Sequence, residues 1–189
     1  MMAYALQYAA LGWAVFPVKP REKVPATRHG VLDATTDPDQ IRAWWTARPD
    51  CNIGLACGEV SGIVALDIDP RSGGQEFLEA MVDENGPFPE GVVESQTGGG
   101  GTHYLFAYAG QANIDLAPGV EVKSTGKYIV VPPSIHPSGN PYEWELSSSP
   151  IEDYDHNTDN ATPDAGVAGR DDPAGNSAAT IFGLSATAP

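Results

Sequence analysis

Basic residues are scarce. Ten Lys and Arg stand against 25 Asp and Glu in 189 residues, a formal net charge of −15, which excludes gripping duplex DNA by diffuse positive charge and confines any nucleic-acid role to a local patch. Cysteine is nearly absent. Cys51 and Cys57 are separated by five residues, with no Cys or His nearby at ligand spacing, so neither a structural zinc site nor a disulfide framework is expected. A reducing cytoplasm is the compartment this implies. The apolar run from Met1 to Val18 has no basic residue before Lys19 and is broken by Gly12 and Pro17, unlike an export signal or a membrane span. A soluble chain with no membrane partner is therefore expected. Glycine and proline, in contrast, number 21 and 17, which favours many turns and excludes bundles and coiled coils.

Charge and pattern divide the chain. Residues 1–150 hold nine basic and 18 acidic side chains, and residues 151–189 one and seven. After Glu145 the sequence passes through Ser147-Ser148-Ser149-Pro150 into Asp, Asn, Ala, Gly and Pro without periodicity, too little apolar surface to offset the entropy of ordering. This predicts a catalytic domain over 1–146 and an acidic, disordered tail or linker over 147–189, with Ile181-Phe182-Gly183-Leu184 as a short docking patch or, on the plainer reading, a chance apolar cluster.

Within 1–146 the pattern alternates helices and strands. Ala3–Leu11 reads as a helix stopped by Gly12, and Trp13–Val18 as a strand. Asp37-Pro38-Asp39-Gln40 combines an N-cap acid, Pro at the first helical position and Gln at N3, opening a helix to Ala47 that turns Ile41, Trp44 and Trp45 inward. Asn52–Cys57 and Gly62–Ile68 are buried strands, and Gly74–Glu84 is an amphipathic helix. Val92–Thr97, His103–Tyr108, Val120–Lys123, Tyr128–Val131 and Tyr142–Glu145 are short strands. Together they predict an α+β (mixed α/β) class with one main, mixed sheet.

Three segments carry chemistry. In Val64-Ala65-Leu66-Asp67-Ile68-Asp69-Pro70, a spacing of two puts both carboxylates on one face of a strand. Their repulsion calls for a cation, and oxygen donors suit Mg²⁺ or Mn²⁺. The plainer reading is a strand end with two solvated acids. Thr97-Gly98-Gly99-Gly100-Gly101-Thr102-His103 places four glycines between strands, so Gly100 and Gly101 could bring amides to an anion with His103 at the edge. The plainer reading is a hairpin loop with His103 as an ordinary strand-start residue, and it is no P-loop, since no Gly-Lys-Ser/Thr follows. In the third, Glu121 and Lys123 alternate onto one strand face, and Pro132-Pro133-Ser134-Ile135-His136 forces a turn that presents Ser134 and His136. A surface ion pair is the plainer reading of Glu121 and Lys123. Lys19, Arg21, Lys23 and Arg28 form the one basic patch, on a proline-punctuated loop, which either guides a nucleotide or template strand toward the carboxylates or is simply a solvated loop.

In order and spacing these segments resemble the bifunctional primase-polymerase N-terminal domain of the archaeo-eukaryotic primase superfamily. The likeness covers about residues 3–146, with Gly12-Trp13, Phe16-Pro17, Lys23-Val24-Pro25, Ala34-Thr35-Thr36-Asp37, Trp44-Trp45, Asn52-Ile53-Gly54-Leu55, Leu66-Asp67-Ile68-Asp69, the Gly98–His103 segment and Pro132–His136. It implies an RRM-like catalytic sheet beside a small α/β module. The implied activity is template-directed nucleotidyl transfer from nucleoside triphosphates on single-stranded DNA, in the replication of a phage, plasmid or related element. Asp67, Asp69 and Glu121 would be catalytic metal ligands for Mg²⁺ or Mn²⁺, Glu121 standing where the family commonly has Asp. His103, Lys123, Gly100, Gly101, Ser134, His136 and Lys23 would contact the nucleotide. Family members are often fused to a helicase, so a separate replicative helicase is an implied partner. Two other readings stay open: a non-catalytic nucleotide or single-strand binding module, and a different Asp-x-Asp metal-dependent transferase.

Overall fold

The computed structural model describes residues 1–89 and 92–151; the expected tail beyond Ile151, including the 181–184 cluster, lies outside them. In chain order the elements are α1 (Met2–Ala10), β1 (Val15–Val18), α2 (Pro38–Ala47), β2 (Asn52–Ala56), β3 (Ile63–Ile68), α3 (Gly74–Asn85), β4 (Val93–Gln96), β5 (Thr102–Ala107), β6 (Ile114–Ala117), β7 (Val120–Lys123), β8 (Tyr128–Val131) and β9 (Glu143–Trp144). The class is α+β, as the pattern implied. A main six-stranded sheet stands beside a smaller three-stranded one, in keeping with a primase-polymerase type fold, and the expected mixed strand direction is corrected: every strand pairing among the described residues is antiparallel. One has the order β1-β2-β8 and the other β6-β7-β3-β5-β4-β9.

Helix α2 begins as its sequence dictates. Asp37 accepts a hydrogen bond from the Asp39 amide at 2.9 Å and Pro38 takes the first turn, satisfying a donor the helix leaves open. Ile41 and Trp45 are buried, and the Trp45 indole N–H donates to the Cys51 carbonyl at 3.0 Å. Trp44, expected to face inward, packs against two core clusters while staying half-buried.

Strand alternation sorts β3 between two cores. Ile63 and Ala65 face a core shared by α1, α2, β2, β5 and β8, which joins the two sheets, while Val64, Leu66 and Ile68 face α3. Asp67 continues the Ile63–Ala65 face where that core ends. The same split runs along β5 (His103 and Leu105 against Tyr104 and Phe106) and β7 (Glu121 and Lys123 against Val120 and Val122). Residues 147–151, placed by pattern in the linker, touch the body: the Ser148 hydroxyl accepts from the Glu94 amide at 3.0 Å, and Ile151 packs on the shared core.

Candidate active site

Register builds the site. Asp67 on the central strand β3 lies opposite His103 on β5 and Glu121 on β7, and His103 in turn lies opposite Ser95 on β4. Residues in direct register project to one side of a sheet, so an acid, an imidazole and a second acid stand in one row. Asp69, two residues beyond Asp67, lines the same pocket of about 470 Å³ as Asp67, Glu121, Asp115 and Ser72. The three carboxylates singled out by sequence thus share a pocket wall.

Each already has a cationic neighbour from the chain itself. The Lys123 ammonium sits 3.2 Å from Asp67 and in close contact with Glu121, while Lys127 reaches the other Glu121 oxygen at 3.2 Å. The Arg71 guanidinium takes both Asp69 oxygens at 3.0 Å, and its amide donates to Asp69 as well. Burial alone would raise the Glu121 carboxyl, but Lys123 and Lys127 outweigh it and hold the group below its usual range. Burial likewise opposes the charge on Lys123, yet Glu121 and Asp67 raise its pKa. At Asp69 the hydrogen bond from Arg71 leads a shift downward. The repulsion expected to require a metal is therefore offset within the chain, which corrects the idea that only a divalent ion permits this row.

The donor set still fits such an ion. Three hard carboxylate oxygen donors on one wall are what magnesium or manganese takes, and the ammonium between Asp67 and Glu121 marks a place where positive charge is favourable. Among the described residues no three His, Cys, Asp or Glu side chains are gathered closely enough to hold an ion as they stand; Lys123 and Arg71 hold them instead.

His103 is buried, with Nε2 3.5 Å from Asp67. Burial dominates its titration and lowers the pKa to about 4, against the pull of Asp67. At neutral pH the contact is consequently one between a neutral ring and a charge, not an ion pair. Its Nδ1 and the Ser95 hydroxyl are buried without a hydrogen-bond partner among the described residues. As pH falls below the ordinary histidine range, the unfolded chain takes up this proton before the folded one. Stability tied to His103 is therefore complete above about pH 6.5 and drains away toward pH 4, by up to about 3 kcal/mol. Urea unfolding at these two pH values should show a shallower fall for His103→Asn than for the parent protein; equal slopes would refute the buried neutral ring.

The glycine loop departs from expectation. Gly100 N–H donates to the Thr97 carbonyl and Gly101 N–H to the Thr97 hydroxyl, both at 2.9 Å, so these two amides close the hairpin and are not presented to an anion. The glycines answer steric demands. A Cβ on Gly98 would lie 2.4 Å from the Asn140 carbonyl oxygen, one on Gly99 2.9 Å from His136 Nε2, and one on Gly101 2.5 Å from the Ile68 carbonyl oxygen, while Gly100 has φ +86°. His136 is the wall behind the loop. Its Nδ1 accepts from the Ser138 amide at 3.1 Å, which assigns the ring proton to Nε2, and the Ser138 hydroxyl donates to the Gly98 carbonyl at 2.7 Å.

Ser134 is also corrected. It is fully buried and its Oγ accepts from the Ile53 amide at 2.9 Å, leaving no surface for a nucleotide. Sequence reasoning passed over Asn52, whose side chain pairs with both the Ile135 amide (2.9 Å) and carbonyl (2.8 Å); a polar residue opening an apolar strand was its signal. Arg71 was likewise missed as a site residue, although its place just past Asp69-Pro70 puts it in a tight turn. Lys23 is exposed, and its loop is fastened by the Tyr128 hydroxyl donating to the Lys23 carbonyl at 2.5 Å. Its charge acts on Asp69, His103 and His136.

A family model described as the N-terminal domain of bifunctional DNA primase/polymerase matches residues 5–156, about four-fifths of the chain. A search of curated proteins finds no match.

Proposed function

The chain belongs to the bifunctional DNA primase/polymerase N-terminal family, and from that footing we propose that it performs template-directed nucleotidyl transfer at the Asp67–Asp69–Glu121 wall. The observation that supports this most is the row Glu121–Asp67–His103 across three adjacent strands, with Asp69 on the same pocket. Substrates would be nucleoside triphosphates on a single-stranded DNA template, in replication of a phage, plasmid or related element, with a separate replicative helicase as partner. Among the described residues no helix is long and apolar enough to cross a membrane; a cytoplasmic setting belongs to the same proposal.

Asp67, Asp69 and Glu121 would hold Mg²⁺ or Mn²⁺. When bound, such an ion supplies charge for activating a 3′-hydroxyl and stabilising the departing pyrophosphate. The chain's own groups position and neutralise. Neutral His103 offers a ring donor beside Asp67, and Lys123, released from Glu121 and Asp67, supplies positive charge to a triphosphate. Lys23 and Arg71 stand near Asp69, with His136 Nε2–H against the glycine loop. We assign no nucleotide contact to Gly100, Gly101 and Ser134, whose amides and hydroxyl are engaged within the chain.

Full ion pairing of the carboxylates favours one second reading, a module that binds nucleotides without turnover. Incorporation of labelled dNTPs on a single-stranded template with Mn²⁺ separates the two. Turnover by the parent and none by Asp67→Ala/Asp69→Ala is expected; no turnover by either returns the second reading.

A further inference from the structure

Nucleic-acid binding must come from a chain whose residues 1–150 carry twice as many acids as bases. The ion pairs show where positive charge remains. Arg71, Lys123 and Lys127 are bound to the pocket acids, Arg42 to Asp39, and Lys19 reaches Glu22 at 4.0 Å. Arg21, Lys23, Arg28 and Arg48 have no acidic partner among the described residues. All four belong to one place: three lie on the loop of residues 19–28, and Arg48 donates from Nη1 to the Ala26 carbonyl of that loop at 2.5 Å.

The far end of this loop enters a second cavity, of about 590 Å³, whose lining includes Thr27, Arg28, Thr35, Gln40, Trp44 and Arg48. Two acids line it as well, but both are engaged. Asp33 accepts from the His29 amide at 2.8 Å and contacts its ring nitrogen at 2.9 Å, and hydrogen bonds from His29 lead a downward shift of its pKa. Asp37 is occupied capping α2. Neither arginine is paired with an acid among the described residues, Arg48 donating only to the Ala26 carbonyl, and the guanidinium fork matches phosphate oxygens. The near end is Lys23, whose charge acts on Asp69 of the carboxylate pocket and on His103. Five residues of chain, at most about 18 Å, separate Lys23 from Arg28.

We infer that the 19–28 loop and the Trp44 cavity form a track for a single-stranded polynucleotide, with Arg28 and Arg48 on its phosphates and Trp44 beneath a base. The inference rests on the proposed function for its direction, since the track leads past Lys23 to Asp67 and Asp69. A single strand is the occupant that suits the place: cationic groups spaced along a groove with an aromatic at one end are the elements that bind one, and a lone nucleotide would not need both ends.

The test is fluorescence anisotropy of a labelled oligothymidylate with the full chain, in EDTA and without nucleotide, across a salt series. Arg28→Ala/Arg48→Ala should bind about tenfold or more weakly at low salt, and the slope of log K against log salt should flatten by roughly 0.7 for each arginine. Arg28→Glu, at a residue with no hydrogen bond or ion pair among the described residues, guards against a folding defect from loss of the Arg48–Ala26 bond and should weaken binding in the same direction. Unchanged affinity and slope in both variants, or no binding by the parent, overturns the track. Incorporation measured in parallel keeps the two ideas apart. Turnover by the parent with unchanged binding in the variants removes the track alone, whereas weakened binding in the variants with no turnover by the parent removes the polymerase reading and keeps the track.

Discussion

Asp67→Ala should lower nucleotide incorporation by about 10²-fold or more, the scale at which losing one positioned charge acts on a transition state. Asp67 is the middle of the row. It stands opposite His103 and Glu121 in register and shares the Lys123 ammonium with Glu121, so its removal takes an oxygen donor from the pocket and an anchor from Lys123 together. The fold should survive. Lys123 keeps Glu121 as a partner, His103 is neutral and loses no salt bridge, and the strand's apolar faces are untouched. A melting temperature within about 5 °C of the parent is expected, as for a change near 1 kcal/mol. Incorporation that persists at the parental rate would detach the pocket from the activity.

Lys123→Met should have the second large effect, on stability and on its dependence on metal. Lys123 is mostly buried and is the only basic side chain close to both Asp67 and Glu121 among the described residues. Without it, the two adjacent carboxylates keep, among the described residues, one cationic partner, Lys127 on the far oxygen of Glu121. Removing one partner from such a pair leaves charge poorly compensated, here by about 2 kcal/mol at neutral pH. A divalent cation can take the vacated place, so Mn²⁺ should raise the melting temperature of Lys123→Met more than that of the parent, in which the ammonium competes. Equal shifts in both proteins, measured against EDTA controls, would mean that Lys123 and the metal do not share a position.

Much of this was legible in the sequence because its cause is local. The cap of α2 follows from Asp37-Pro38, and β7 and β8 from short β-branched runs that the structure reproduces residue for residue. Alternation also put Asp67 beside Asp69 and Glu121 beside Lys123. What alternation could not supply was register, which is set by pairing across the sheet: that Asp67 meets both His103 and Glu121 is a property of three strands distant in sequence. Strand β6 was missed because it is a four-residue edge strand with an irregular register, running into Pro118-Gly119. The glycine run misled for a related reason. Composition shows that a Cβ is absent but not what lies where it would be, and His136, Asn140 and the Ile68 carbonyl arrive there from elsewhere in the chain.

Direct Mn²⁺ binding, followed by electron paramagnetic resonance of the free ion in the absence of nucleotide and template, bears most closely on the carboxylate wall. The parent should remove Mn²⁺ from solution saturably, Asp67→Ala/Asp69→Ala and Glu121→Gln should bind it far more weakly, and Lys123→Met should bind it more tightly. Binding of the same strength in the parent and in the carboxylate variants would contradict the assignment of the ion to Asp67, Asp69 and Glu121.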